Sequence, residues 1–185
     1  MIDKTKAVAV DFETFYDEDC SIRDNTVVNY VTHPKFDCYL VAIYGEGISY
    51  VGHPAKFDWW KLEGRPILAH NASFDEWIYR FALAYGIWSG PELTWECTAD
   101  MCAYLQYPRS LKGAVYACLG IEMDKSVRDG KMKGRGWDDI VAEGWDQEVL
   151  EYAERDALYC YKLWLDLSDR WPEGERKLSQ MTRRM

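Results

Sequence analysis

Histidine is scarce in this chain, and cysteine forms no metal-binding pattern. His33, His53 and His70 are the only three histidines, and they stand far apart. The six cysteines, Cys20, Cys38, Cys97, Cys102, Cys118 and Cys160, are scattered, with no Cys-x-x-Cys among them. Neither spacing supports a zinc site. Several of these cysteines sit among apolar residues and read as small core side chains in a reducing compartment. No apolar run approaches the roughly 18–20 residues needed to span a bilayer. The opening Met-Ile-Asp-Lys-Thr-Lys has no signal-peptide core. The expectation is therefore no membrane and a cytoplasmic setting. An excess of positive charge is also missing, since the formal net charge is -9. That argues against broad backbone binding to duplex DNA, and leaves room for a site that holds a few nucleotides through metal ions. There is no internal repeat and no low-complexity stretch.

What is present is a single globular domain's worth of chain, 185 residues with 48% apolar and 15% aromatic side chains. Its acidity is uneven. Residues 1–100 carry 8 Lys/Arg against 16 Asp/Glu, and residues 101–185 carry 14 against 15. The first half therefore holds the surplus of carboxylates. One stretch there, Ala7-Val-Ala-Val-Asp-Phe-Glu-Thr14, reads as a short buried strand. Residues two apart on a strand point to one side, so Asp11 and Glu13 project together. Such a pair is either solvated at a strand end or held by a divalent cation that relieves its repulsion.

Further along, Phe15 to Asn29 is polar and broken, and predicts a loop with a helical turn. Cys38–Tyr44 and Ile48–Val51 predict a hairpin about Gly45-Glu-Gly47. His53 to Trp60 suggests one short helix, and Pro66 to His70 another buried strand. Asn71 then stands where a helix cap belongs, ahead of a helix from about Ala72 to Tyr85 that ends at Gly86. Its expected apolar face is Phe74, Trp77, Ile78, Phe81 and Leu83. A strand near Glu92–Cys97, a helix over Thr98–Tyr107 and a helix capped by Ser110 and ended by Gly120 follow. Residues 124–136 form a glycine-punctuated basic loop carrying Lys125, Arg128, Lys131, Lys133 and Arg135. A long helix from about Gln147 to Trp171, closed by Pro172 and Gly174, precedes a helical tail. Strands first and helices later give an α/β class with a mixed sheet.

Three motifs recur in order: Asp11-x-Glu13, Asn71-x₃-Asp75 and Tyr152-x₃-Asp156. Asp75 falls in a first helical turn, where the helix dipole favours an anion. Tyr152 and Asp156, four apart, share a helix face. Each motif alone is weak. Together they resemble the tyrosine-bearing branch of the DEDD 3′–5′ exonuclease superfamily, and especially the proofreading exonuclease domains of phage and bacterial family A, DNA polymerase I-like polymerases. The resemblance runs from about Ala7 to Trp164, with Thr98-Ala-Asp-Met101 and Ser110 to Gly120 similar to the family's connecting segment. The histidine branch of the superfamily is excluded, because the residue five before Asp156 is Glu151.

The resemblance implies a ribonuclease H-like mixed sheet flanked by helices, with residues 1–174 as the exonuclease domain. It places residues 175–185 in a tail that leads toward a polymerase body. The implied reaction removes nucleoside 5′-monophosphates from a single-stranded DNA 3′ end, using two Mg²⁺ or Mn²⁺ ions. Asp11 would bridge both ions, Glu13 and Asp156 would complete the first site, and Asp75 would serve the second. The neutral Tyr152 hydroxyl would orient the nucleophile. The backbone at Thr14 and Phe15 would contact the terminal nucleotide. Asn71 either bonds a phosphate or caps its helix. The basic loop, through Lys131, Lys133 and Arg135, either contacts the nucleic-acid backbone or is a solvated surface, and Phe15, Tyr16 and Trp137 are candidates for base stacking. The implied setting is a bacterial or phage-infected host cytoplasm, with a DNA polymerase in cis or as a separate chain. An RNase D-like or oligoribonuclease-like enzyme acting on RNA, and a catalytically silent docking module, remain as alternatives. His70 reads as a strand-end residue packed beside the site, and most of the nine tryptophans and thirteen tyrosines read as core.

Overall fold

The computed structural model describes residues 3–22, 26–124 and 126–184. Residues 23–25 of the polar stretch, Lys125 of the basic stretch and Met185 of the tail lie outside them. Five strands form one sheet: β1 (Val8–Thr14), β2 (Cys38–Gly45), β3 (Ile48–Gly52), β4 (Pro66–Ala69) and β5 (Thr94–Cys97). Their order is β3-β2-β1-β4-β5. β1 pairs antiparallel with β2 and parallel with β4, β2 pairs antiparallel with β3, and β4 pairs parallel with β5. The sheet is therefore mixed, and β1 is its middle strand.

Seven α-helices complete the described fold: α1 (Val27–Val31), α2 (Ala72–Ala84), α3 (Thr98–Tyr104), α4 (Leu111–Leu119), α5 (Trp137–Ala142), α6 (Asp146–Leu167) and α7 (Glu173–Arg184). The two faces of β1 feed two cores. Val8, Val10 and Phe12 pack with Trp59, Ile78, Tyr79 and Ala82, which is the α2 side. Ala7 and Ala9 pack with Tyr152, Ala153, Ala157 and Cys160, which is the α6 side. Alanines on that face let α6 approach β1 closely. The period of two continues into Asp11 and Glu13, so both carboxylates leave the sheet on the α6 side. Among the described residues, no helix is long and apolar enough to cross a membrane.

Several elements differ from the reading of the sequence, each for a local reason. The expected helix over His53–Trp60 is two 3₁₀ turns, Pro54–Lys56 and Trp59–Leu62. Phe57 is extended between them, and the Asp58 carboxylate accepts from the Trp60 N–H at 3.3 Å to start the second turn. The helix expected to run to Trp171 ends at Leu167 in a single 3₁₀ turn, Ser168–Arg170. Gly174 closes nothing, because it lies in the first turn of α7. The expected apolar face of α2 holds in part: Ile78 is buried, and Phe74, Phe81 and Leu83 pack half-buried against the same core, whereas Trp77 is exposed. The most deeply buried positions are Ala72, Asp75, Glu76, Ile78, Tyr79 and Ala82. The basic loop is partly helical, with one wide π-type turn over Arg128–Met132 anchored by the buried Met132.

The two acids on α2 have separate fates. Asp75 turns to the open end of the sheet, and Glu76 turns to α7. There the Arg183 guanidinium lies 3.3 Å from Glu76 and donates to the Trp95 carbonyl at 2.7 Å. Arg176 and Gln180, on the same helix, donate to the fully buried Glu96 at 2.6 and 3.0 Å. Ser179 donates to Asp100 at 2.6 Å. Carboxylates this deep require such partners, because an unpaired buried charge is costly. Replacing Arg183 with Ala is expected to destabilise the protein by about 3–5 kcal/mol. Urea unfolding of Arg183→Ala measures it, and a midpoint equal to wild type removes the pair from the fold's support.

Candidate active site: a carboxylate cleft at the end of the sheet

The cleft forms because β4 leaves the sheet before β1 does. The register of β1 on β4 stops at Ala9↔Leu68, while β1 runs on to Thr14. Beyond that point the Phe12 N–H is taken by the Asp75 Oδ1 at 3.1 Å. Asp75 can reach it because the chain turns directly from β4 into α2 through Asn71, whose φ of 81° is left-handed. Asparagine tolerates that conformation better than most residues. The Asn71 side chain does not cap α2, contrary to the helix-cap expectation. In the left-handed conformation it points away from the first-turn N–H groups, and its Oδ1 accepts from the Ser73 hydroxyl at 3.3 Å.

The opening is a cleft of about 1350 Å³. Asp11, Glu13, Asp75, Tyr152 and Asp156 all line it, as do Thr14 and Asn71. Four carboxylates and one phenol from three distant segments thus meet in one place. Their fields act on one another. Burial and then the Asp11 charge push the Asp75 carboxyl well above the usual carboxylate range, with the Phe12 N–H opposing them. Burial and then the charges of Glu13, Asp156 and Asp11 push the Tyr152 hydroxyl upward, so it stays a neutral donor at physiological pH.

This donor set fits a hard divalent cation. It supplies only carboxylate oxygens around a buried acid that lacks a counter-charge of its own, the environment that Mg²⁺ and Mn²⁺ favour. Among the described residues, no three acidic, histidine or cysteine side chains stand at ion-holding separation.

The remaining expected contacts divide. Thr14 is buried at the cleft wall, and its hydroxyl hydrogen-bonds that of Tyr30 at 2.7 Å. Phe15 is not free to meet a nucleotide through its backbone. Its N–H donates to the Asp37 carbonyl at 2.8 Å, and its carbonyl accepts from the Tyr30 hydroxyl at 2.5 Å. Lys133 lines the cleft, 3.7 Å from Glu18. Lys131 and Arg135 do not. Lys131 is paired with Glu148 and Arg135 lies 3.0 Å from Glu143, and both stand over the Trp145 ring. The π-type turn holds Lys131 away from the carboxylates, against Glu148. It turns Arg128 toward them, a position that charge counting alone did not single out. His70 also lines the cleft and fastens its far wall. Its Nε2 hydrogen-bonds the Arg109 carbonyl at 2.8 Å, and its Nδ1 meets the Thr98 hydroxyl at 3.0 Å.

No family model and no curated protein sequence matches this chain. Solved structures do. RNase D of Escherichia coli, an exoribonuclease involved in structured RNA processing, aligns with a TM-score of 0.59 and 20% identity, over 97% of this chain and 45% of that one. The catalytic core of RRP6 from Trypanosoma brucei aligns with a TM-score of 0.49 and 15% identity, over 96% of this chain and 42% of that one. This chain spans less than half the length of either. The five-stranded mixed sheet flanked by helices is a ribonuclease H-like fold, shared with RNase D of Escherichia coli.

Proposed function

We propose that this chain is a metal-dependent 3′–5′ exonuclease that releases nucleoside 5′-monophosphates from a single-stranded 3′ end. One observation carries the reading: Asp11, Glu13, Asp75, Tyr152 and Asp156 line a single cleft, with Asp75 buried under the field of Asp11. Asp11, Glu13 and Asp156 would hold one Mg²⁺ or Mn²⁺ ion, and Asp75 with Asp11 a second. When bound, two such ions stabilise the attacking and leaving oxygens of a phosphodiester and make water a better nucleophile near neutral pH. The protein's own groups do the rest. Phe12 fixes the Asp75 carboxylate through its N–H. Tyr152 keeps its proton, so its hydroxyl can donate toward the attacking water and orient it, and does not serve as the base. Thr14 and Asn71 line the space available to the terminal nucleotide.

The leading substrate is a single-stranded DNA end, with proofreading beside a DNA polymerase, in cis or as a separate chain, as the setting. What supports it is the resemblance of the combination Asp11-x-Glu13, Asn71-x₃-Asp75 and Tyr152-x₃-Asp156 to the proofreading domains of family A polymerases. A second reading, an exoribonuclease, is favoured by the fold shared with E. coli RNase D. Matched DNA and RNA oligonucleotides with identical 3′ sequences decide between them. Faster release from DNA supports the first reading, and faster release from RNA replaces it with the second.

Asp11→Ala and Asp156→Ala are each expected to lower Mn²⁺-dependent release of mononucleotides by at least about a hundredfold. Near wild-type turnover by either variant ends the assignment. Asp75→Asn separates chemistry from stability. The amide oxygen still accepts from Phe12 while a buried charge is removed, so activity falls and the metal-free Tm rises. The sign follows from linkage. The folded-state pKa of Asp75 is raised, so its contribution favours the folded state at low pH and is lost as pH rises through that pKa. The Tm advantage of Asp75→Asn therefore grows with pH and vanishes in the acid range where wild-type Asp75 is protonated. Differential scanning calorimetry at several pH values in chelator checks it.

A further inference from the structure

Four lysine and arginine side chains line the cleft: Arg109, Lys112, Arg128 and Lys133. Arg109 is held by Asp100 at 2.5 Å and Lys133 lies 3.7 Å from Glu18. Arg128 is the one whose charge is set by Glu13 and Asp11. It is placed with care. Its guanidinium sits over the Tyr16 ring, 5.5 Å from the centroid. The Tyr16 hydroxyl donates to the Arg128 carbonyl at 2.7 Å, and the Gly134 N–H donates to the Tyr16 carbonyl at 2.8 Å. Both ends of the π-type turn are thus fastened to the segment that follows β1. Burial lowers the guanidinium's proton affinity, and the nearby Glu13, Tyr152, Tyr16 and Asp11 more than offset it.

We propose that Arg128, held on Tyr16, is a substrate-binding residue that takes the phosphate of the 3′-terminal nucleotide directly above Asp11 and Glu13. The proposal rests on the exonuclease reading. A guanidinium matches a phosphate's two unbridged oxygens, and stacking fixes its plane beforehand. The charges of Glu13 and Asp11 draw the guanidinium toward the cleft while its plane rests on Tyr16. Its positive charge lies in the field of those acids, and so opposes a divalent ion there. Arg128 therefore acts on the two ligands in opposite directions: it favours nucleic acid and opposes metal.

The test uses Arg128→Ala and Arg128→Lys in the full chain. Mn²⁺ binding is read by calorimetry, and binding of a short single-stranded oligonucleotide in Ca²⁺ by fluorescence anisotropy across a salt series. Arg128→Ala is expected to bind the oligonucleotide about tenfold more weakly. Its salt slope should be shallower by about 0.7, the share of one phosphate contact on a single strand. The same variant should bind Mn²⁺ about two- to fivefold more tightly, because a nearby positive charge is gone. Arg128→Lys should keep the salt slope and recover only part of the affinity. Unchanged oligonucleotide affinity and slope in Arg128→Ala overturn the proposal while leaving the exonuclease reading in place. Loss of both oligonucleotide and Mn²⁺ binding also overturns it, since a purely structural arginine would behave that way. Wild-type protein that binds no Mn²⁺ removes the exonuclease reading, and this inference with it.

Discussion

The hydrogen bond from the Phe12 N–H to Asp75 ties a carboxylate of the α2 layer to the strand that carries Asp11 and Glu13. β1 sends its acids to the α6 side, and α2 lies on the opposite side of the sheet. Only where β4 has ended can a group from the α2 layer reach past the sheet toward the acids on the other face. Asp75 does so at the cost of burial next to a like charge. Burying a carboxylate without a counter-ion opposes folding. The arrangement persists because the surrounding sheet and helices hold it, a common condition at sites organised for chemistry rather than stability.

Much of this was legible in the sequence because the responsible geometry is local. The period of two along Val8 to Thr14 places Asp11 and Glu13 together with no knowledge of what faces them. The four-residue spacing does the same for Tyr152 and Asp156, and burial of Val149, Ala153, Ala157 and Cys160 on that face fixes its direction. Positions decided by distant partners were not legible. Asn71 has a capping residue's identity and a turn residue's conformation. Lys131, Lys133 and Arg135 alternate evenly in sequence, but Lys131 lies in the π-type turn while Lys133 and Arg135 flank the left-handed Gly134 after it, so they meet different neighbours. Glu76 and Glu96 look like solvated charges until α7 brings Arg183 and Arg176 to them. A faint signal did exist, since Arg176, Ser179, Gln180 and Arg183 lie three or four apart and make one polar face on the last helix.

The overall negative charge has a parallel logic. An acidic protein can still handle a polyanion if its few available cations stand where the polymer must go. Here several basic side chains near the cleft are neutralised by acids, Lys131 and Arg135 by Glu148 and Glu143 outside it and Lys133 by Glu18 at its wall. What a strand would encounter at the mouth is therefore not the net charge but a small local remainder. Long-range attraction is weak under those conditions, and short-range contacts decide whether an end stays.

The pair formed by Arg183 and Glu76 extends this further. Glu76 neighbours Asp75 in the same helical turn, so the closing helix of the fold is bolted to the segment that presents the buried acid. The last dozen described residues and the carboxylate cleft are thus joined through a single helical turn. Fraying of that helix would reach the wall of the cleft through a dry ionic joint, so the outer layer of the molecule helps to set the position of its buried acid.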